Sequence, residues 1–257
     1  MRTNKAKKQL KAGARFFLDR KITESDAMIE LPRDITKHAT SALRLKSGAL
    51  ISLFDGGGGE YLSKLVSGPD GEMKAEILQF LDSKTDTKLK ISLTQSILPN
   101  EKMNLVVQKA TELGIAEINV FKAERSSIRV KEDQVEKRKH HWRKVAIAAC
   151  EQSGRTKIPK IRVYPSLTYF IETAANENTE QTKLILCPGG STHLKDVVLK
   201  PVNLTIATGP EGGFSDEELA VAKLNGFIDV QLGPRTLRAE TAGMSMTAIA
   251  QALWGDF

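Results

Sequence analysis

The stretch "NLTIATGPEGGFSDEEL", residues 203–219, joins an apolar run to an acidic helix start through Gly209-Pro210-Glu211-Gly212-Gly213. Leu204 to Ala207 read as a buried strand, and Ser215 with Glu218 has the spacing of a helix capping box. A strand that runs through a glycine turn into a helix is the building unit of an α/β fold. In open α/β sheets, ligands lie beyond the carboxyl ends of the strands. Glycine lets a flat ligand reach main-chain N–H and C=O groups, proline fixes the path, and Glu211 answers a cationic or hydroxyl-bearing part.

Outward from this unit the same alternation repeats. "KISLTQSIL", "IAEINVF", "KIRVY", "KLILCP" and "FIDVQLG" read as strands. Between them the spacing predicts a helix over "NEKMNLVVQKATELG", with Met103, Val106, Val107, Ala110 and Leu113 on one face and Gly114 at its end. Further helices are predicted over 132–152, 167–175, 192–198, 215–226 and 240–254. The first part of the chain differs. Residues 15–81 hold short alternating stretches, and "ALISLFDGGGGEYLSKLV" reads as two strands joined by a four-glycine turn. A short helix is expected over 37–45, ending near Gly48. The polar "LDSKTDTKLK" marks the boundary, giving a basic extension over 1–14, a small β-module over 15–84 and an α/β domain with a mainly parallel sheet over 85–257.

Composition narrows the class. The 257 residues carry 38 Lys and Arg against 31 Asp and Glu, and no run approaches the roughly 18 apolar residues of a membrane span. Phe16-Phe17-Leu18 is too short for the apolar core of a secretory signal. Cys150 and Cys187 form no disulfide framework and the four histidines no zinc spacing, so a reducing cytoplasmic setting and no metal are expected. The positive charge is clustered. The first 15 residues carry six cations and no acid, and residues 122–144 carry nine more. Such clusters are either solvated faces or contacts to a polyanion, most simply nucleic acid.

Three strand ends carry Pro/Gly turns: "LCPGGS" (186–191), "ATGPEGGFS" (207–215) and "LGPRTLRAET" (232–241). Three in one domain point to a shared pocket. The chain has no GxxxxGK[ST] and no GxGxxG after a strand, so neither a P-loop nor a dinucleotide fingerprint is present. In the last turn Arg235, Arg238 and Glu240 sit at a helix start, where a cation opposes the helix dipole. Either an anionic ligand or a structural Arg238–Glu240 pair accounts for that placement. The last helix, "AETAGMSMTAIAQALW", is rich in Ala and Met and suits tight packing, in a core or between subunits.

With "GPEGGFSDEEL" and "LGPRTLRAETA" together, the sequence resembles the RsmE family of ribosomal RNA uridine methyltransferases, of the SPOUT class. "KATELGIAEINVFKAERSS", "AACEQSGR", "ARFFL" and "HATSALRLKSGALISLFDG" carry the resemblance along the chain from residue 15 to the C-terminus. It implies a PUA-like RNA-binding β-barrel followed by a SPOUT domain with a deep trefoil knot, whose loops hold S-adenosylmethionine. The cofactor residues it implies are Leu186, Cys187, Pro188, Thr208, Gly209, Glu211, Gly212, Gly213, Leu232, Gly233, Leu237 and Arg238. It further implies a homodimer that methylates N3 of one uridine in 16S rRNA of the assembled small ribosomal subunit. RNA contacts are expected from Arg15, Arg44, Arg125, Arg129, Glu151, Gln152 and Arg155. The dozen residues before "RFF" extend beyond the family's usual start, and Ala42-Leu43 stands where a bulkier residue is usual.

Uridine N3 is a weakly acidic imide, so the reaction needs a proton acceptor or a cation that stabilises the imidate oxygens. Arg238 is the candidate cation and Glu240 the residue that orients it, with Glu240 or Glu211 open as proton acceptor. Two rival readings remain at this point. A non-catalytic rRNA-binding or ribosome-assembly protein would share the basic clusters without needing three intact loops. A SPOUT enzyme acting on another RNA, such as a tRNA ribose hydroxyl, would share the loops.

Overall fold

A computed structural model describes residues 12–23, 25–68, 72–83, 85, 87–128, 132–173, 181–197 and 201–257. The chain divides after Thr85 into two compact units.

The first unit is a five-stranded mixed sheet. Its strands are β1 (Ala14–Phe17), β2 (Met28–Glu30), β3 (Leu50–Phe54), β4 (Glu60–Ser67) and β5 (Met73–Leu81), in the order β1-β3-β4-β5-β2. The four-glycine turn joins β3 to β4 as an antiparallel pair. Asp55 holds this turn by accepting from the backbone of Gly57 and of Ile22. Inward residues of alternating strands, among them Phe16, Ile29, Ile51, Leu53, Leu65 and Ala75, form one core. The expected barrel is an open sheet among the described residues. The short strands β1 and β2 are its two edges and do not pair with each other. The predicted helix over 37–45 starts earlier. It is α1 (Arg33–Lys37), which continues as a π-helical turn over His38–Ala42. Leu43 N–H bonds the carbonyl of His38, five residues back, and Arg44 then takes a left-handed backbone with φ +53°.

The second unit is an all-parallel seven-stranded sheet flanked by helices. Along the chain it runs β6 (Lys90–Ser96), α2 (Asn100–Glu112), β7 (Glu117–Phe121), α3 (Glu132–Ser153), β8 (Lys160–Tyr164) and α4 (Leu167–Thr173). It continues with β9 (Gln181–Leu186), β10 (Thr192–His193), β11 (Asn203–Thr208), α5 (Asp216–Leu224), β12 (Phe227–Gln231) and α6 (Ala239–Trp254). The strand order is β10-β12-β9-β11-β6-β7-β8. Strands buried on both faces read as continuous apolar runs, and Leu93, Ile118, Leu184 and Ile206 are fully buried.

Two helices show why the pattern read as it did. On α2, Met103, Val106, Val107 and Ala110 face the core, but the fifth buried position is Thr111 rather than Leu113. Thr111 is buried because its hydroxyl donates to the carbonyl of Val107 at 2.7 Å, which leaves no unmet donor. On α6, an added Cβ at Gly243 would meet Leu93 Cδ1 at 3.0 Å and Thr208 Oγ1 at 3.1 Å, so the small residue sets how closely the helix lies on β6 and β11. The helix expected over 192–198 is different. Thr192 and His193 pair in parallel with Val230 and Gln231 as β10, followed by a single turn over Leu194–Asp196. Residues 198–200 lie outside the described set.

The capping box forms as predicted. Ser215 Oγ accepts from Glu218 N–H at 3.1 Å, and the Glu218 carboxylate accepts from Ser215 N–H at 2.9 Å. Both side chains are buried. Ser215→Ala is expected to lower stability by about 1 kcal/mol, the usual loss on removing such a cap. Urea unfolding followed by circular dichroism measures it, and a midpoint equal to that of the wild type would show that the cap contributes nothing.

Candidate functional site

The carboxyl ends of β9, β11 and β12 converge on one cleft of about 540 Å³. Its walls come from the three Pro/Gly turns, and they include every residue of the sequence-derived pocket except Gly212: Leu186, Cys187, Pro188, Thr208, Gly209, Glu211, Gly213, Leu232, Gly233, Leu237 and Arg238. The turns are held together by backbone. Cys187 N–H bonds the carbonyl of Val230, and Gly190 lies so flat on β12 that a Cβ there would meet the Val230 carbonyl carbon at 3.1 Å. Ser191 Oγ donates to Asp229 at 2.7 Å and its N–H bonds the same carboxylate. These bonds hold Asp229 below the usual carboxylate range, with Lys223 assisting.

The central turn closes on itself through Gly213 N–H to the carbonyl of Pro210 at 2.9 Å, with Gly213 at φ +72°. That left-handed backbone favours glycine. Gly212 does not line the cleft. It packs behind it, where an added Cβ would lie 3.1 Å from the Arg125 carbonyl oxygen and 3.2 Å from Arg125 Cβ. The segment it touches is itself fixed, because Glu124 N–H bonds the Glu218 carboxylate of the capping box. Gly209 lies under the Phe214 ring, which stacks on Phe121 with centroids 6.3 Å apart.

Chemically the cleft combines an apolar floor with opposed charges at the rim. Arg125, Arg235 and Arg238 contribute cations, and Glu211 and Asp216 contribute carboxylates. Thr208 lines the floor, and its Oγ1 is buried with no hydrogen-bond partner among the described residues. Cys187 is half-buried and no nucleophile, since burial pushes its thiol up to about 11, with Asp229 adding to the shift.

The structure rearranges the expected catalytic pair. Glu240 is 7% exposed, and no ion pair joins it to Arg238 among the described residues. Its carboxylate instead lies 3.7 Å from Lys102 Nζ on α2, and the same ammonium bonds Glu211 directly. This corrects the expectation that Glu240 orients Arg238. At the second position of α6 its side chain is drawn to the ammonium of the neighbouring helix, while Arg238, as the N-cap, stays exposed at the cleft. The bond to Glu211 raises the Lys102 ammonium above the ordinary lysine range against desolvation. Glu240 adds to that shift and Arg238 opposes it. Lys102 was not singled out from the sequence, because one lysine on the polar side of an amphipathic helix looks like any other.

The expected RNA contacts fall in several places. Arg125 is exposed at the cleft. Arg129 lies outside the described residues. Glu151 is half-buried and Gln152 exposed in the last turn of α3, and neither lines the cleft. Arg155 departs from the expectation of a surface contact. It is 6% exposed, and its Nη1 donates to the carbonyls of Thr111 and Ile115 at 2.9 Å, which ties the α2–β7 turn to the end of α3. Five donors in a planar fork suit that internal task. In the first unit, Arg15 pairs with Glu60 at 3.3 Å and lies 5.1 Å over the Phe54 ring, and Arg44 is exposed. No helix among the described residues is long and apolar enough to cross a membrane.

Comparison with known proteins agrees with this geometry. Residues 85–251 match the model of an RNA methyltransferase domain, and residues 31–78 match that of an RNA methyltransferase PUA domain. A protein of Legionella pneumophila, solved in complex with the bound cofactor SAM, is 33% identical with a TM-score of 0.88. The match covers 96% of this chain and 100% of that one. The ribosomal RNA small subunit methyltransferase E of Neisseria gonorrhoeae, bound to S-adenosyl methionine, is 32% identical with a TM-score of 0.84, over 95% and 99% of the two chains. The enzyme of the same name from Mesomycoplasma hyopneumoniae is 30% identical over 90% of this chain and 95% of its own. By sequence, by fold and by the three turns that build its cleft, the chain belongs to the ribosomal RNA small subunit methyltransferase E family.

Proposed function

We propose that this chain transfers a methyl group from S-adenosylmethionine to N3 of a uridine in the 16S rRNA of the small ribosomal subunit. The observation that carries the reading is the convergence of three Pro/Gly turns on one cleft in which Arg238 and Glu211 share a rim. The cleft fits the cofactor. Its volume is in the range of small-molecule sites, Thr208 Oγ1 offers an unmet polar atom on the floor, and backbone around Gly209 and Gly213 is open to an adenine edge. Leu186, Leu232 and Leu237 supply apolar contact for the adenosyl group. Bound there, the cofactor supplies an electrophilic methyl on a sulfonium.

The chain's own part is to make N3 a nucleophile and to align it. In this mechanism Glu211 takes the N3 proton. Arg238 holds the negative charge that the departing proton leaves on the imide oxygens. Lys102 anchors Glu211, and Glu240 positions Lys102 from beneath. Arg125, Arg44 and the exposed cations of α3 bind rRNA phosphates. The PUA-like unit grips rRNA outside the target. The second unit carries the SPOUT knot, two chains pair in a homodimer, and the enzyme acts on assembled subunits in the cytoplasm. Support for these points comes from family membership and from the small-residue face of α6.

Calorimetric titration with S-adenosylmethionine, followed by incubation with small subunits from a strain lacking the modification and nucleoside analysis, tests the proposal. Saturable binding and a methyl on uridine N3 are expected. A methyl on ribose, or on no nucleotide despite cofactor binding, would overturn it.

A further inference from the structure

A second cavity of about 340 Å³ opens at the carboxyl ends of β6, β7 and β8 beneath α3. Ile97, Phe121, Lys122, Arg138, Trp142 and Tyr164 form its walls, and it shares no residue with the cofactor cleft. The two are neighbours. Phe121 faces this cavity, Phe214 faces the cleft, and the two rings stack within 7° of parallel. Trp142 is 2% exposed and Tyr164 packs edge-on against Phe170, so the aromatic walls are fixed by the core. Arg138 lines the cavity with its Nη1 buried and without an acceptor among the described residues, and Lys122 is exposed at the rim.

These features select among ligands. An aliphatic chain would leave the Arg138 guanidinium unmet, at the cost of a buried donor. A bare phosphate would use Arg138 and Lys122 but not the aromatic walls. A nucleobase uses all of them, with its face on the half-buried Tyr164 ring that Phe121 and Trp142 back from the core, its carbonyl edge on Arg138 and its phosphate toward Lys122. We propose that this cavity takes an unpaired base of the rRNA substrate, adjacent to the uridine methylated in the cleft. The inference rests on the methyltransferase reading and adds a specificity pocket for the flanking nucleotide.

The test uses the full chain, a labelled hexauridylate and an abasic ribose-phosphate hexamer of the same length, by fluorescence anisotropy at fixed salt. Arg138→Gln is expected to weaken hexauridylate binding about tenfold, the order of one stacked base, and to leave the abasic chain nearly unchanged. Arg138→Lys keeps the charge but loses the planar fork, and it is expected to weaken hexauridylate alone. In both variants the melting temperature and the S-adenosylmethionine affinity stay at wild-type values. Equal wild-type affinity for the two chains, unaltered hexauridylate binding in both variants, or no wild-type binding at millimolar probe would each overturn the pocket. Failure of the wild type to bind S-adenosylmethionine would instead overturn the underlying methyltransferase reading.

Discussion

Lys102→Met is expected to reduce kcat for rRNA methylation by about 100-fold, the scale of a lost acid–base contribution, while the affinity for S-adenosylmethionine changes little. Lys102 does not line the cleft, so the loss acts through Glu211, whose carboxylate it holds at the rim. The substitution also leaves Glu240, 7% exposed, without its facing cation. An uncompensated buried carboxylate destabilises the fold, and the melting temperature falls with it. The double variant Lys102→Met, Glu240→Gln separates the two effects. Removing the second charge restores the melting temperature but not kcat, because Glu211 is still unanchored. Single-turnover rates beside thermal melts decide the matter. If the double variant recovers activity together with stability, Lys102 is only structural and the proton acceptor is not Glu211.

The contrast between Lys102 and the three turns shows what the sequence could reveal. Turn chemistry is local. A Pro/Gly segment after an apolar run has few conformations, so "LCPGGS", "ATGPEGGFS" and "LGPRTLRAET" could be placed at strand ends, and Ser215 with Glu218 at a helix start, without knowing the neighbours. Strand order is not local. Nothing in the spacing says that β9 lies between β12 and β11, which is what brings Leu186 and Leu232 to the same wall as Thr208. The same limit hid the partner of Glu240. Adjacent numbering favoured Arg238, but the packing of α2 beside α6 offered Lys102. Arg155 is the converse case. A cation in a basic, polar stretch reads as surface, yet the open carbonyls of Thr111 and Ile115 draw it inward. In the first unit β3 and β4 read correctly from alternation and the glycine turn, whereas the short edge strands β1 and β2 gave no such signal, and closure depends on whether those two meet.

Gly212→Val is expected to weaken S-adenosylmethionine binding by about 100-fold or more, the scale set by displacing a positioning loop by roughly 1 Å. The first added carbon already crowds two atoms of Arg125, one of them its carbonyl oxygen, and a valine places two further carbons beyond it. Three ties decide which side gives way. Glu124 is bonded to Glu218, Glu218 is locked in the capping box, and the Phe121–Phe214 stack fixes the strand below. The Arg125 segment therefore holds, and the turn carrying Gly209, Glu211 and Gly213 moves into the cleft. The turn itself is exposed at Glu211 and Gly212, so its displacement removes little buried surface and the melting temperature changes less than the affinity. Gly212→Ala grades the argument, since a single carbon at 3.1 Å asks the neighbour to yield only a few tenths of an ångström. Calorimetric titration of the wild type, the alanine variant and the valine variant should give affinities that fall in that order. Wild-type affinity in the valine variant would mean that the central turn is free to tilt outward, and that the other two turns hold the cofactor without it.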